Sequence, residues 1–204
     1  MEFLDWTFPP SDTPNDTPGV RLGVSYLRTL KDSISISIRL DDSSTLDLEI
    51  SQVSMGPMAI SSVVWDAGLY LVDFLESNAH IDLVDRIELG KTLELGTGTG
   101  ICGITAACLG ASTLLLSDIE EPAVLQSNID ELPAKFKDNI RFAAYDWSDS
   151  NVPDDFINVP EGWDTVLCRY IGYIGYIWYI WYIWYIGYIG CIGVYRVYRV
   201  YKGI

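Results

Sequence analysis

The residues best suited to chemistry are Gly96, Thr97, Gly98, Thr99 and Gly100, which follow the apolar run Leu93-Glu94-Leu95 and lead into a second one from Ile101 to Cys108. A strand that turns through glycines into a helix lets the backbone approach a ligand closely. Glycine has no Cβ to hold the ligand off, and the first amides of a helix lack partners within it. A nucleotide-like cofactor fits such a turn. Gly98, Gly100 and Gly103 also satisfy the spacing G-x-G-x-x-G, so the glycines alone do not separate a nicotinamide dinucleotide from S-adenosylmethionine. Asp118 ends the next apolar run, where a carboxylate can accept hydrogen bonds from both hydroxyls of a ribose. It could equally cap the helix that follows, and the two roles are compatible. Glu94 sits within an apolar segment, where an ionised group needs a partner, and an ammonium group on the cofactor is a natural one.

These residues need a scaffold, and the hydrophobic pattern supplies one. Ser-Ile-Ser-Ile-Ser-Ile from Ser33 alternates with period two, breaks at Asp41-Asp42-Ser43-Ser44 and resumes at Leu46, Leu48 and Ile50, which predicts a β-hairpin. Val64, Ala67, Leu71, Phe74 and Leu75 recur at helical spacing behind Ser61 and Ser62, predicting a helix over about 62–76. Strands are predicted at 91–96, 112–117, 140–145 and 164–168. Helices are predicted after the glycine turn, closed by Gly110, and again behind Asp118, ending by Pro133. Residues 149–162 read as an acidic loop. The alternation of strands and helices implies a parallel sheet with right-handed crossovers and helices on both faces. Asp146-Trp147 then falls at the carboxyl end of a strand, where open α/β sheets bind ligands, although an ordinary turn would look the same. Trp65 is by default a core aromatic.

Composition narrows the partners. The net charge of −15 and pI near 4.2 disfavour a nucleic-acid backbone, since an acidic surface repels a polyanion. Cys102, Cys108, Cys168 and Cys191 show no paired spacing and read as reduced core thiols, which fits an expected cytoplasmic or nuclear location. His80 has no ligand-spaced companion, and no metal site is legible. Residues 1–20, acidic and carrying Pro9, Pro10, Pro14 and Pro18, are expected to form a loose arm without a signal-peptide pattern.

The combination resembles a known family, the seven-strand class I lysine methyltransferases of methyltransferase-like family 21 within the larger family 16. The resemblance covers about 48–168. It is carried by Glu49-Ile50-Ser51-Gln52, Val64-Trp65-Asp66-Ala67, Leu93 through Gly100, Ser117-Asp118, Leu125 with Asn128-Ile129, Asp146-Trp147, and Trp163-Asp164-Thr165-Val166-Leu167. It implies a Rossmann-like methyltransferase sheet and S-adenosylmethionine as cofactor. Glu94, Gly96, Thr97, Gly98 and Gly100 would lie toward its amino-acid end, Asp118 on the ribose, Asp146 and Trp147 about the adenine, and Trp65 on the pocket wall. It further implies a protein substrate with a target lysine, and a monomer is expected. A small-molecule methyltransferase is the alternative enzyme. A non-catalytic, membrane-anchored or interaction protein on a broken methyltransferase fold is the alternative from another class.

Beyond Cys168 the chain changes to Tyr-Ile-Gly, Tyr-Ile-Trp and Val-Tyr-Arg triplets. A nine-nucleotide tandem repeat read in one frame produces this period of three. The rival readings are a membrane anchor over 171–195 and an ordered aromatic strand region. In the relatives an acid-x-x-aromatic segment follows the fourth strand, whereas here Cys168 is followed by Arg169-Tyr170-Ile171. The expectation is therefore a methyltransferase domain over 21–168, incomplete after its fourth strand, with residues 169–204 as a tail outside the catalytic fold and with little or no turnover.

Overall fold

The computed structural model describes residues 31–40, 44–53, 61–79, 89–146, 148–168 and, as backbone, 193–196. The predicted arm 1–20, His80, Trp147 and Cys191 lie outside the described residues, as does the stretch 171–192 of the anchor reading. Among the described residues, no helix is long and apolar enough to cross a membrane.

Two sheets form. Strands β1 (Ser33–Arg39) and β2 (Thr45–Ser51) pair antiparallel, with Ser35 opposite Glu49 and Ser37 opposite Asp47. The period-two pattern sends Ile36, Ile38, Leu48 and Ile50 to one face, where all four are buried, and leaves the serines and acids in water. The second sheet has the order β5-β4-β3-β6-β7. Its strands β3 (Lys91–Leu95), β4 (Thr113–Asp118), β5 (Ile140–Ala144) and β6 (Thr165–Cys168) are parallel. They make the α/β Rossmann-like core the sequence predicts.

Alternation along these central strands divides the core in two. Leu93, Leu95, Leu115, Val166 and Cys168 face Tyr145 and Phe156 on one side. Leu114, Leu116 and Leu167 face the helices on the other. The helices on that side are α1 (Asp66–Ala79), α2 (Ile101–Cys108) and α3 (Leu125–Asp130), followed by the single turn α4 (Ala134–Lys137). The hairpin's apolar face joins the same cluster as Leu71, Leu75, Ile101 and Ile104, so β1 and β2 form an outer layer over α1 and α2.

Several boundaries differ from the sequence pattern for local reasons. Helix α1 starts at Asp66 rather than near Ser62, because the backbone there serves the end of β2. Ser62 O accepts from Val53 N at 2.8 Å, and Val64 N donates to Gln52 Oε1 at 3.1 Å. The helix behind Asp118 is delayed to Leu125 by a turn in which Leu125 N donates to Pro122 O. Inside the predicted acidic loop lies a short helix, α5 (Asp154–Ile157), entered from Pro153 with Asp154 and Asp155 in its first turn. Phe156 on α5 covers the second face of the sheet, edge-to-face with Tyr145 at 5.2 Å.

The fourth parallel strand is not the sheet's edge. Residues Gly193–Arg196 form β7, antiparallel to β6, with Cys168 opposite Gly193 and Thr165 opposite Arg196. A period of three does not forbid this, because ladder pairing uses backbone N–H and C=O groups whatever the side chains, and an open strand edge is a ready template. Cys102, Cys108 and Cys168 are buried thiols, and burial pushes the Cys108 thiol up to about 12.

Candidate functional site at the carboxyl ends of the strands

The glycine turn leaves β3 and enters α2 through backbone that glycine favours: φ is 69° at Gly96, 52° at Gly98 and 82° at Gly100. Side chains rarely adopt these values. Gly100 is the N-cap of α2, and a Cβ there would come within 2.5 Å of Leu125. The turn is fastened to the neighbouring strand, since Thr97 N donates to Ser117 O at 2.8 Å and Gly98 N donates to Asp118 Oδ2 at 2.9 Å. The other Asp118 oxygen accepts from Ile119 N at 2.9 Å. Asp118 therefore holds the turn and caps the chain behind β4 with one carboxylate, while remaining half-buried.

Glu94 lies beneath the turn, fully buried on the helix-facing side of β3. Its Oε2 accepts from Thr97 Oγ1 at 2.8 Å and from Gly103 N at 3.0 Å. Gly103 N belongs to the first turn of α2, whose N-cap glycine has no side chain to satisfy it. The acid supplies from the adjacent strand the negative group that a helix start favours. The approach needs glycine at 103, where a Cβ would meet Glu94 Oε2 at 2.6 Å and Leu116 at 2.3 Å. The sequence predicts a partner for this charge. The partners of Oε2 are the turn's own groups.

Asp146 follows β5 by two residues and is exposed. Its Oδ1 accepts from Ser148 N at 2.8 Å and Ser148 Oγ at 2.7 Å, and these bonds hold its carboxyl below the usual carboxylate range. Tyr145 N donates to Asp118 O at 2.8 Å, which draws the end of β5 alongside the end of β4. Trp65 is half-buried just before α1. Its carbonyl accepts from Gly68 N at 2.9 Å, and Gly68 O in turn accepts from Cys102 Sγ at 3.5 Å, so the starts of α1 and α2 lie together. The sites on Gly96, Thr97, Gly98, Gly100, Asp118 and Asp146 thus line one end of the sheet, with Glu94 below.

Two residues at this end escape the sequence reading as site candidates. Ile119 is 56% exposed directly after Asp118, an apolar surface at the carboxyl end of β4. Only its position after a strand-end acid marks it. Asn128 is 1% exposed, and its carboxamide hydrogen-bonds both β2 and the turn. Two buried hydroxyls here, Thr99 Oγ1 and Ser117 Oγ, have no hydrogen-bond partner among the described residues. Unfilled polar capacity of this kind is expected where a polar ligand completes a site. Among the described residues, no group of three or more His, Cys, Asp or Glu is arranged to hold a metal ion.

A parallel sheet, a glycine turn on its first central strand and an acid ending the next define a Rossmann-like nucleotide-cofactor protein. Comparison with known proteins fixes which kind. The lysine methyltransferase family profile matches residues 42–174, and the chain belongs to that family. Among curated proteins, the chain is 31% identical over 129 residues to the frog (Xenopus tropicalis) protein N-lysine methyltransferase METTL21A, covering 63% of this chain and 55% of the relative. It is 38% identical over 69 residues to the mouse EEF1A lysine methyltransferase 3, covering 34% of this chain and 28% of the relative. It is 29% identical over 94 residues to the fission yeast protein N-terminal and lysine N-methyltransferase efm7, covering 45% and 34%. The chain spans about half the length of the frog relative and less of the others. Membership of this family implies S-adenosylmethionine as the methyl donor.

Proposed function

We propose that the described α/β unit is the cofactor-binding part of an S-adenosylmethionine-dependent protein-lysine methyltransferase. The observation that carries the proposal is the hydrogen bond joining Asp118 Oδ2 to Gly98 N at the ends of adjacent parallel strands. It sets a carboxylate beside a backbone cradle, the arrangement that takes a ribose next to an extended polar group. In this reading Gly96, Thr97, Gly98 and Gly100 let the cofactor's amino-acid end lie against the turn, and Asp118 accepts from the ribose hydroxyls. Asp146 bounds the adenine, and Trp65 walls the pocket. Ile119 supplies an apolar surface to the base. Glu94 supports the site from below by holding Thr97 and Gly103.

When bound, the cofactor supplies an electrophilic methyl group for in-line displacement by a neutral amine. The protein's part is to orient donor and acceptor and to exclude water. The residues described here meet the first half of that task. On the acceptor side, the acid that the resemblance implies after β6 is replaced by Arg169.

The test uses methyl-labelled donor and a cell lysate, with two proteins in parallel: the full chain and a chimera in which residues after Cys168 are replaced by the corresponding part of a relative. Label recovered as methyl-lysine in protein is expected from the chimera, with little from the full chain. Label confined to small molecules would overturn the lysine assignment. Equal labelling by both would show that the repeat region supports catalysis.

A further inference from the structure

Asn128, on α3, belongs to none of the roles above, yet its side chain spans two layers of the molecule. Its Oδ1 accepts from Ser51 N at 2.7 Å, and its Nδ2 donates to Ser51 O at 3.1 Å and to Thr99 O at 2.8 Å. The network admits one orientation of the amide, since an N–H meets the oxygen and two carbonyls meet the NH2. Toward Ser51, the last residue of β2, the carboxamide pairs as a neighbouring strand's peptide group would. With its second N–H it fixes a carbonyl of the glycine turn. The two bonds to Ser51 are part-buried and the one to Thr99 is sheltered, Asn128 being 1% exposed and Thr99 fully buried. A bond lost there leaves a polar group that water cannot satisfy.

Thr99 O is thus restrained by α3, while Gly98 N is restrained by β4 through Asp118. Between them they set the direction of the peptide groups the turn offers to a ligand. The same Asn128 amide that restrains Thr99 also closes the end of the hairpin layer. The hairpin has a further anchorage at its other end, where Arg39 N donates to Glu76 Oε1 at 3.0 Å on α1. The Ser51 end is therefore the one joined directly to the turn.

We propose that Asn128 is a positioning residue for the cofactor turn and couples it to the N-terminal hairpin. A ligand that orders the turn also orders Ser51 and the end of β2, and loosening that junction weakens the ligand. The proposal rests on the cofactor reading above. Shared restraint through a buried polar network is cooperative, so ordering one end lowers the cost of ordering the other.

Hydrogen exchange read by mass spectrometry, on the full chain with and without S-adenosylhomocysteine, tests it. In the wild type, ligand is expected to slow exchange both in the segment 96–103 and in the segment 48–53. In Asn128→Leu, which keeps the branched outline of the side chain and removes all three bonds, the ligand is expected to bind about tenfold more weakly, the loss of a buried bond of this kind. At saturation it should protect 96–103 while leaving 48–53 unchanged. Protection of the turn with no change in β2 of the wild type overturns the coupling and leaves the cofactor reading standing. So does hairpin protection in the variant equal to that of the wild type, or a variant of lowered melting temperature whose affinity stays within twofold. Absence of protection at 96–103 in the wild type overturns the cofactor reading and this proposal with it. If Asn128→Leu does not fold, Asn128→Ser takes its place, and the wild-type comparison decides by itself whether turn and hairpin respond together.

Discussion

Gly98 has φ of 52° and donates its amide to Asp118, so its position is fixed both by conformation and by a bond. Valine there is strained by the positive φ and fills the space beside the turn. Gly98→Val is expected to abolish cofactor binding as read by calorimetry, and normal binding by the variant would remove the turn from the site. Asp146 allows a finer separation. Its carboxyl is exposed and lowered by the bonds from Ser148, so any contribution to folding is present above the ordinary carboxylate range. It is lost as pH falls through the lowered value. Asp146→Ala should leave the melting temperature of the unliganded protein nearly unchanged at pH 7 and weaken cofactor binding. A large drop in that melt with unchanged affinity would make Asp146 a turn residue. At this scale the sequence shows which residue types cluster but not how they bond. Asp118 and the glycines stand out by spacing. The burial of Glu94 beneath Gly103 depends on how closely α2 approaches β3, and nothing in the local pattern states that distance. Asn128 lies on an ordinary short helix, and its partners Ser51 and Thr99 are distant in sequence.

Secondary-structure elements were legible where the hydrophobic period is strong and less so where tertiary bonds take over the backbone. The alternation of Ile36, Ile38, Leu48 and Ile50 gives the hairpin, and the apolar runs give β3, β4 and β6. The start of α1 depends on Val53 and Gln52 claiming the backbone of Ser62 and Val64, an interaction between segments that no periodicity records. The entry into the central sheet is similarly determined. Gly90 has φ of 48°, and Asp164 just before β6 accepts from Lys91 N at 2.8 Å. A Cβ on Gly90 would lie 2.3 Å from Asp164 Oδ2. Gly90→Ala is therefore expected to destabilise the fold by about 1 to 3 kcal/mol, combining strained backbone with displacement of the carboxylate. Denaturant unfolding measures this. A change within a few tenths of a kcal/mol would show that the strands' starts are not clamped here.

For the whole molecule, the α/β class followed from the order of elements, because strand–helix alternation leaves few topologies open, whereas the place of the hairpin over the helices did not. The strand β7 did not follow, because its pairing with β6 is a backbone contact that a triplet side-chain pattern neither encodes nor prevents. The central claim is that the carboxyl ends of β3 and β4 hold S-adenosylmethionine through the glycine turn and Asp118. Isothermal titration of the full chain with S-adenosylhomocysteine, beside Asp118→Ala, tests it most directly. The account predicts saturable binding at one site by the wild type. The variant should be weaker by about 1 to 3 kcal/mol, the worth of a charge-assisted bond and of the turn's lost restraint. Equal affinity in the two proteins, or no binding by a folded wild type, would contradict it.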